Sequence, residues 1–391
     1  MNTSARPFDF DTLRDRAPTA AKKWHKYQGR DVLPFWVADM DFDTAPGIVA
    51  ALHARIDAGV LGYTAVPDSI VATVCETLAE RYAWQVHPDW LVFIPAVVGG
   101  FNAACRAVGN RGDDVLVPVP VYHPFLDAPG HGDRRATLVD LTDTAGRWTM
   151  DFERFAASIT PRTTSMLFCN PQNPTGRVYS RAELIDLANF CLRNDLVLCS
   201  DEIHCPLVLE PELAHIPVAS LHPDIEQRTI TLLAPTKAYN IPGVGCAVAV
   251  IRDAALREAF KAARAGLMPS IGPLAYVASE AAWRDRSGWL AALLVYLRGN
   301  RDLLAARIAA LGLTVTHVEG TYLAWIDVQA LLPVNPETWF ETHGIGLSNG
   351  AQFGRDGFVR FNFGCPRALL EEGLHRFATA IAAARAQVSS G

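Results

Sequence analysis

Short, largely unalternating apolar runs recur between about residues 90 and 250: Trp90 to Pro95, Val115 to Val119, Thr164 to Cys169, Leu196 to Cys199, Thr229 to Leu233 and Ala247 to Ile251. Each has the length of a strand, and runs without alternation suit parallel strands buried on both faces. Amphipathic stretches separate several of them; Arg181 to Arg193 sets Leu184, Leu187, Ala188 and Cys191 on one helical face. This alternation predicts a three-layer α/β/α sandwich with a mostly parallel sheet. Ligands of such sheets sit outside the carboxyl ends of the strands, so the residues just after each run are the ones to read for chemistry.

Beyond Ile251 the pattern turns helical. A long helix is expected from about Gly288 to Leu311, leading into a smaller α+β region with strands at Thr314 to His317, Tyr322 to Asp327 and Phe358 to Phe363. A terminal helix from about Arg367 to Val388 closes it. The expected organisation is an N-terminal segment (1–45) packed on the small domain, a large domain (46–287) and a small C-terminal domain (288–391).

Composition narrows the function. Half of the 391 residues are hydrophobic and 19% are charged, which supplies a sizeable core. A net charge of -6 shows no basic surplus for nucleic acid or an anionic membrane, so a small-molecule substrate is expected. The eight cysteines form no CxxC pair and no metal-ligand spacing, and scattered thiols suggest a reducing cytoplasm. Charges throughout the first twenty residues are unlike a signal peptide, and no uncharged run is long enough to span a membrane.

Chemistry concentrates after the apolar runs. The chain has five lysines against thirty arginines, and one of them, Lys237, directly follows the run ending Leu232-Leu233-Ala234-Pro235-Thr236. Burial disfavours an ammonium, and a lysine that can become neutral is a nucleophile able to form a Schiff base; a lysine snorkelling out of a loop is the alternative. Asp201 follows the run Leu196 to Ser200, where a carboxylate wants a cationic partner such as a protonated pyridine nitrogen; a helix cap or a loop ion pair is the alternative. Asp201-Glu202-Ile203-His204 also spells the DExH box of helicases, but no phosphate loop precedes it. Asn170-Pro171-Gln172-Asn173-Pro174-Thr175-Gly176 reads as a turn whose Asn side chains could face the same crevice. Arg360, inside the apolar strand Phe358 to Phe363, needs an anion: a substrate carboxylate or an internal ion pair.

Taken in order, Asn-Pro-x-Asn-Pro-Thr-Gly, Ser-Asp-Glu-Ile-His, Ala-Pro-Thr-Lys and Arg-x-Asn resemble the class I/II aminotransferase superfamily, fold type I of the pyridoxal-phosphate enzymes, across nearly the whole chain. Trp36-Val37-Ala38-Asp39-Met40-Asp41-Phe42, Glu319-Gly320-Thr321-Tyr322-Leu323 and the ending from Arg360 to Arg367 resemble its MalY/PatB branch of cystathionine β-lyases and other cysteine-S-conjugate lyases. The resemblance implies pyridoxal 5'-phosphate as cofactor, Lys237 as its Schiff-base lysine and Asp201 as partner of the ring nitrogen. It sets Asn173 and His204 near the phenolic oxygen and stacks Tyr122 on the ring. Val97 and Val98 at a helix start would hold the phosphate, with Thr236 and with Tyr63 reaching over from a second subunit of a homodimer. Ala38 and Arg360 would bracket the substrate carboxylate.

Three positions depart from the wider family. Gly245 stands eight residues after the lysine, where many aminotransferases have a phosphate-binding Arg. Gln172 replaces a common His, and Cys205-Pro206 follows the His204 box; both are expected to reshape the substrate pocket. The implied activity is cleavage of the carbon-sulfur bond of L-cystathionine or another S-substituted L-cysteine. An aminotransferase, or a regulatory protein that keeps the cofactor without catalysis, are the alternatives.

Overall fold

In a computed structural model, which describes residues 8–329 and 335–390, all six apolar runs of the large region form strands of one sheet. The first seven residues of the N-terminal segment lie outside the described residues. The strands are β1 (Leu91–Ile94), β2 (Asp114–Val119), β3 (Arg135–Asp140), β4 (Thr163–Cys169), β5 (Val197–Asp201), β6 (Thr229–Leu233) and β7 (Ala247–Val250). Their order is β1-β7-β6-β5-β4-β2-β3, with β7 antiparallel to both neighbours and every other pairing parallel. Strand β3 was not visible as an apolar run. It lies at the sheet edge, where only Val139 is buried, so its sequence has no reason to be apolar throughout.

Helices cover both faces. On one side α3 (Val97–Ala107), which follows α1 (Pro46–Asp57) and α2 (Asp68–Tyr82), buries Phe101 and Ala104 among Ile94, Leu232 and Phe125. Its approach to the sheet is set by Gly100, where a Cβ would stand 2.7 Å from Ile94 Cδ1 and 2.9 Å from Leu232 Cδ2. On the other side α4 (Arg181–Arg193) presents Leu184, Leu187, Ala188 and Cys191 to Phe168 and Leu198. It starts with a reciprocal capping box between Ser180 and Glu183, a feature that stabilises a helix by about 1 kcal/mol.

The long helix α5 (Trp289–Ala310) runs into a three-stranded antiparallel sheet of β8 (Leu323–Asp327), β9 (Ser348–Asn349) and β10 (Phe358–Asn362), in the order β8-β10-β9, covered by α6 (Arg367–Ser390). The strand expected at Thr314 to His317 does not form. Only Val315 makes an isolated bridge, to Ile326, because the chain beyond is held by other elements: Arg301 of α5 donates to the Val318 carbonyl, and Gly320 bridges to Val208 of the large region.

The N-terminal segment ties these parts together. Leu33–Pro34 pairs in parallel with Ile345–Gly346. A few residues on, Asn362 Nδ2 donates to the carbonyls of Val37 and Asp39, and Asn240 bonds both the N–H and the carbonyl of Met40. The Lys23–Asp41 ion pair, 2.6 Å long and fully buried, with Arg16 as a second partner of Asp41, locks the stretch from below.

Candidate active site

The carboxyl ends of β2, β4, β5 and β6 open onto a cavity of about 440 Å³ that is closed by the N-terminal segment and by β9 and β10. Lys237, Asp201, Asn173, His204, Tyr122, Thr236, Val97, Val98, Ala38 and Arg360 all line it. Ten residues scattered from position 38 to 360 thus meet in one place. Tyr63 does not: it is fully exposed on the surface of the single chain, beside exposed Val60 and Leu61.

Lys237 follows β6 and points Nζ at the Ala38 carbonyl, 2.6 Å away, which also accepts from the Tyr322 hydroxyl at 3.0 Å. Burial, then the nearby Arg360 charge, push its pKa down to about 8. Asp201 closes β5 and accepts from the Ile203 N–H at 3.0 Å. Burial outweighs that bond and the attraction of Lys237, raising its pKa to about 7. A carboxyl group so placed is short of a cation. Burial, with Lys237 and Arg360 adding to it, holds His204 neutral with a pKa of about 3, and its buried Nδ1 has no hydrogen-bond partner among the described residues.

Arg360 sits in the middle of β10, opposite Trp325 of β8 and Ser348 of β9. Its guanidinium donates to Asn173 Oδ1 at 3.0 Å and to the Trp36 carbonyl at 2.6 Å, and lies 4.7 Å over the Phe353 ring. None of these partners is an anion, and among the described residues Arg360 forms no ion pair, so the internal salt bridge is not its explanation. Burial alone draws its pKa down to about 10. A buried guanidinium with neutral partners is primed for a carboxylate ligand.

Of the two asparagines in the turn after β4, only Asn173 faces the cavity. Asn170 instead accepts the Tyr179 N–H. Gln172 does not shape the pocket either: it donates to the Pro120 carbonyl at 2.6 Å and accepts from Thr175, holding the turn closed. Cys205 is buried against Ile70 and Val74, away from the cavity lining. Gly245 does line the cavity, and a Cβ there would stand 2.6 Å from the Pro95 carbonyl oxygen, so this backbone has no room for the arginine of the wider family. Nothing in the sequence pattern singled out Lys22, His123, Ser348 or Phe353, which the fold also brings to the lining. His123 carried the one available signal, as the neighbour of Tyr122.

The lining fits pyridoxal phosphate. The α3 N-terminus has no side-chain cap, which leaves backbone N–H groups at Val97 and Val98 for a phosphate. Asp201 lacks a cation that a pyridine nitrogen would provide, His204 offers an unpartnered ring nitrogen, and Lys237 lines the same cavity.

The family model described as aminotransferase class I and II matches residues 30–377. The chain belongs to this family. Within it, the chain is 33% identical to cystathionine β-lyase PatB of Bacillus subtilis (strain 168), over 95% of this chain and all of the relative, which sets this aminotransferase-family member in the branch of PatB and MalY. Among solved structures, OvoB is 44% identical with a TM-score of 0.93, covering 96% of this chain and 99% of its own. Cystalysin from Treponema denticola, solved with pyridoxal 5'-phosphate, is 31% identical with a TM-score of 0.91 at the same coverage. The family is pyridoxal-phosphate dependent, and the fold is that of its fold type I.

Proposed function

We propose that the protein is a pyridoxal-phosphate-dependent β-lyase that cleaves the carbon-sulfur bond of L-cystathionine or another S-substituted L-cysteine. With one water, the reaction gives a thiol, pyruvate and ammonia. The observation that carries this reading is the meeting, in one cavity, of a lysine with a depressed pKa, a buried cation-seeking Asp201 and an arginine whose partners are all neutral. PatB and cystalysin support it by likeness.

Bound in this cavity, the cofactor supplies an electron sink for the carbanion at Cα. The other tasks fall to this chain. Arg360 holds the substrate carboxylate and so orients the Cα–H bond. Lys237, neutral at a pH near its lowered pKa, takes the Cα proton. Asp201 would pair with the ring nitrogen, and Tyr122 would pack on the ring. The uncapped start of α3 and Thr236 would take the phosphate.

The protein is further read as a cytoplasmic homodimer with a shared site. Its cysteines are free thiols, and Val60, Leu61, Tyr63 and Leu267 form exposed apolar surface suited to a second copy, from which Tyr63 would reach the phosphate. Among the described residues no helix is long and apolar enough to cross a membrane.

The test is pyruvate release from L-cystathionine by cofactor-loaded protein with no α-keto acid present. Steady catalytic release is expected. Silence, with amino transfer once a keto acid is added, would make the protein an aminotransferase.

A further inference from the structure

The cavity holds more positive charge than the assigned roles use. Its lining contains Lys22, Lys237 and Arg360, with Asp201 as the one carboxylate among the lining residues. Lys237 and Arg360 have work in the proposed reaction; Lys22 has none. Its ammonium stands 5.9 Å from the centroid of the Trp36 ring at the exposed end of the cavity. A second ammonium, Lys26, lies 5.1 Å over the same ring, but it is neutralised by Glu337 at 2.6 Å and Glu341 at 3.0 Å. Glu337 is also held by Gln352 at 3.1 Å. Lys22 forms no ion pair among the described residues.

His123 lines the cavity on the way from Arg360 to Lys22. Its ring packs edge-on to Tyr122 at 4.9 Å and to Phe353 at 6.2 Å. Burial lowers its pKa, the charges of Arg360 and Lys22 lower it further, and together they outweigh the opposing pull of Asp127, so at neutral pH it offers an N–H without adding a charge. A substrate whose α-carboxylate is on Arg360 and whose sulfur substituent runs past His123 would meet an ammonium that lacks an anion.

Resting on the β-lyase reading, we propose that Lys22, over Trp36 and assisted by His123, is a distal anion subsite that selects S-substituted L-cysteines whose sulfur substituent ends in a carboxylate. The subsite ranks a plain carboxylate above the zwitterionic end of L-cystathionine, whose ammonium finds no free acid in the lining.

The test compares two nearly isosteric substrates, S-(2-carboxyethyl)-L-cysteine and its uncharged amide, S-(2-carbamoylethyl)-L-cysteine. Pyruvate release is followed with holoenzyme of wild type, Lys22→Met and Lys26→Met. A charge-assisted contact predicts that wild type favours the carboxylate by about tenfold in kcat/KM, chiefly through KM. Lys22→Met brings that ratio close to one, Lys22→Arg restores most of it, and Lys26→Met keeps it. No preference in wild type, or a preference that survives in Lys22→Met, overturns the subsite. Should neither compound release pyruvate, the lyase reading still stands or falls on L-cystathionine as above. The subsite is then judged by calorimetric dissociation constants of the two compounds: the same gap, lost in Lys22→Met, upholds it, and equal affinities overturn it.

Discussion

Replacing Asp201 with asparagine in the cofactor-free protein isolates the cost of burying an acid that waits for a cation. The carboxyl group titrates at about 7 in the folded chain against 3.8 in an unfolded one, chiefly because it is buried. Below the lower value both states hold the proton. Between the two values the folded state keeps a proton that the unfolded state releases, so stability falls as pH rises, by about 1.4 kcal/mol per pH unit, and levels off above the folded value. From about pH 5.5 to about pH 8 the loss amounts to about 2 kcal/mol. At roughly 2.1 cal/mol/K per residue, a chain of this length has an unfolding entropy of about 0.8 kcal/mol/K, which converts the loss to about 2–3 °C in Tm. Asparagine has the same shape and no titration. Scanning calorimetry of both apo-proteins should therefore show the Tm of Asp201→Asn minus that of wild type growing by this amount between the two pH values. Loading with pyridoxal phosphate should reverse the order, because the wild-type carboxylate then meets its cation. A difference that stays the same at both pH values, or shrinks, would refute the reasoning.

Three further outcomes are expected. Arg360→Lys should raise KM for amino-acid substrates by about 10–100-fold with a smaller change in kcat, since lysine lacks the planar fork that binds a carboxylate at two points. Gly245→Ala should lower Tm by about 1–4 °C, because the Pro95 carbonyl must move to admit the Cβ; an unchanged melting curve would mean that the backbone there yields freely. The rate at which apo-protein takes up pyridoxal phosphate, read from its visible band, should rise about tenfold per pH unit below about 8 and level off above it. Lys237 attacks as the neutral amine, and its lowered pKa sets that limb.

Much of the large region was legible because its strands are buried on both faces and must be apolar throughout, as in Thr229–Leu233. What escaped was what burial does not mark: the edge strand Arg135–Asp140, and the two-residue strands at Leu33–Pro34, Ile345–Gly346 and Ser348–Asn349, too short to leave a period. The residues that gather at the strand ends, Asp201 and Lys237 above all, were readable as ionisable groups set directly against apolar runs. Lys22, Ser348 and Phe353 were not, because they come to the cavity from a short helix, from the small sheet and from the 3-10 turn Gly350–Phe353, and their neighbours in sequence say nothing of that approach. Gln172 and Cys205 misled for the opposite reason. They sit inside conspicuous motifs, yet their side chains brace the turn after β4 and the packing behind β5 rather than the pocket.

The stretch from Leu33 to Phe42 is pinned at one end by Ile345–Gly346 and along its length by Asn240 and Asn362. On a ribosome, these residues emerge early and must wait for partners some two hundred and then three hundred positions later. The large sheet can assemble while the rest is still being made, but the wall that carries Ala38 and Trp36 cannot settle until β10 has left the exit tunnel. A nascent chain therefore gains its cofactor-binding surface well before it gains its specificity for a substrate.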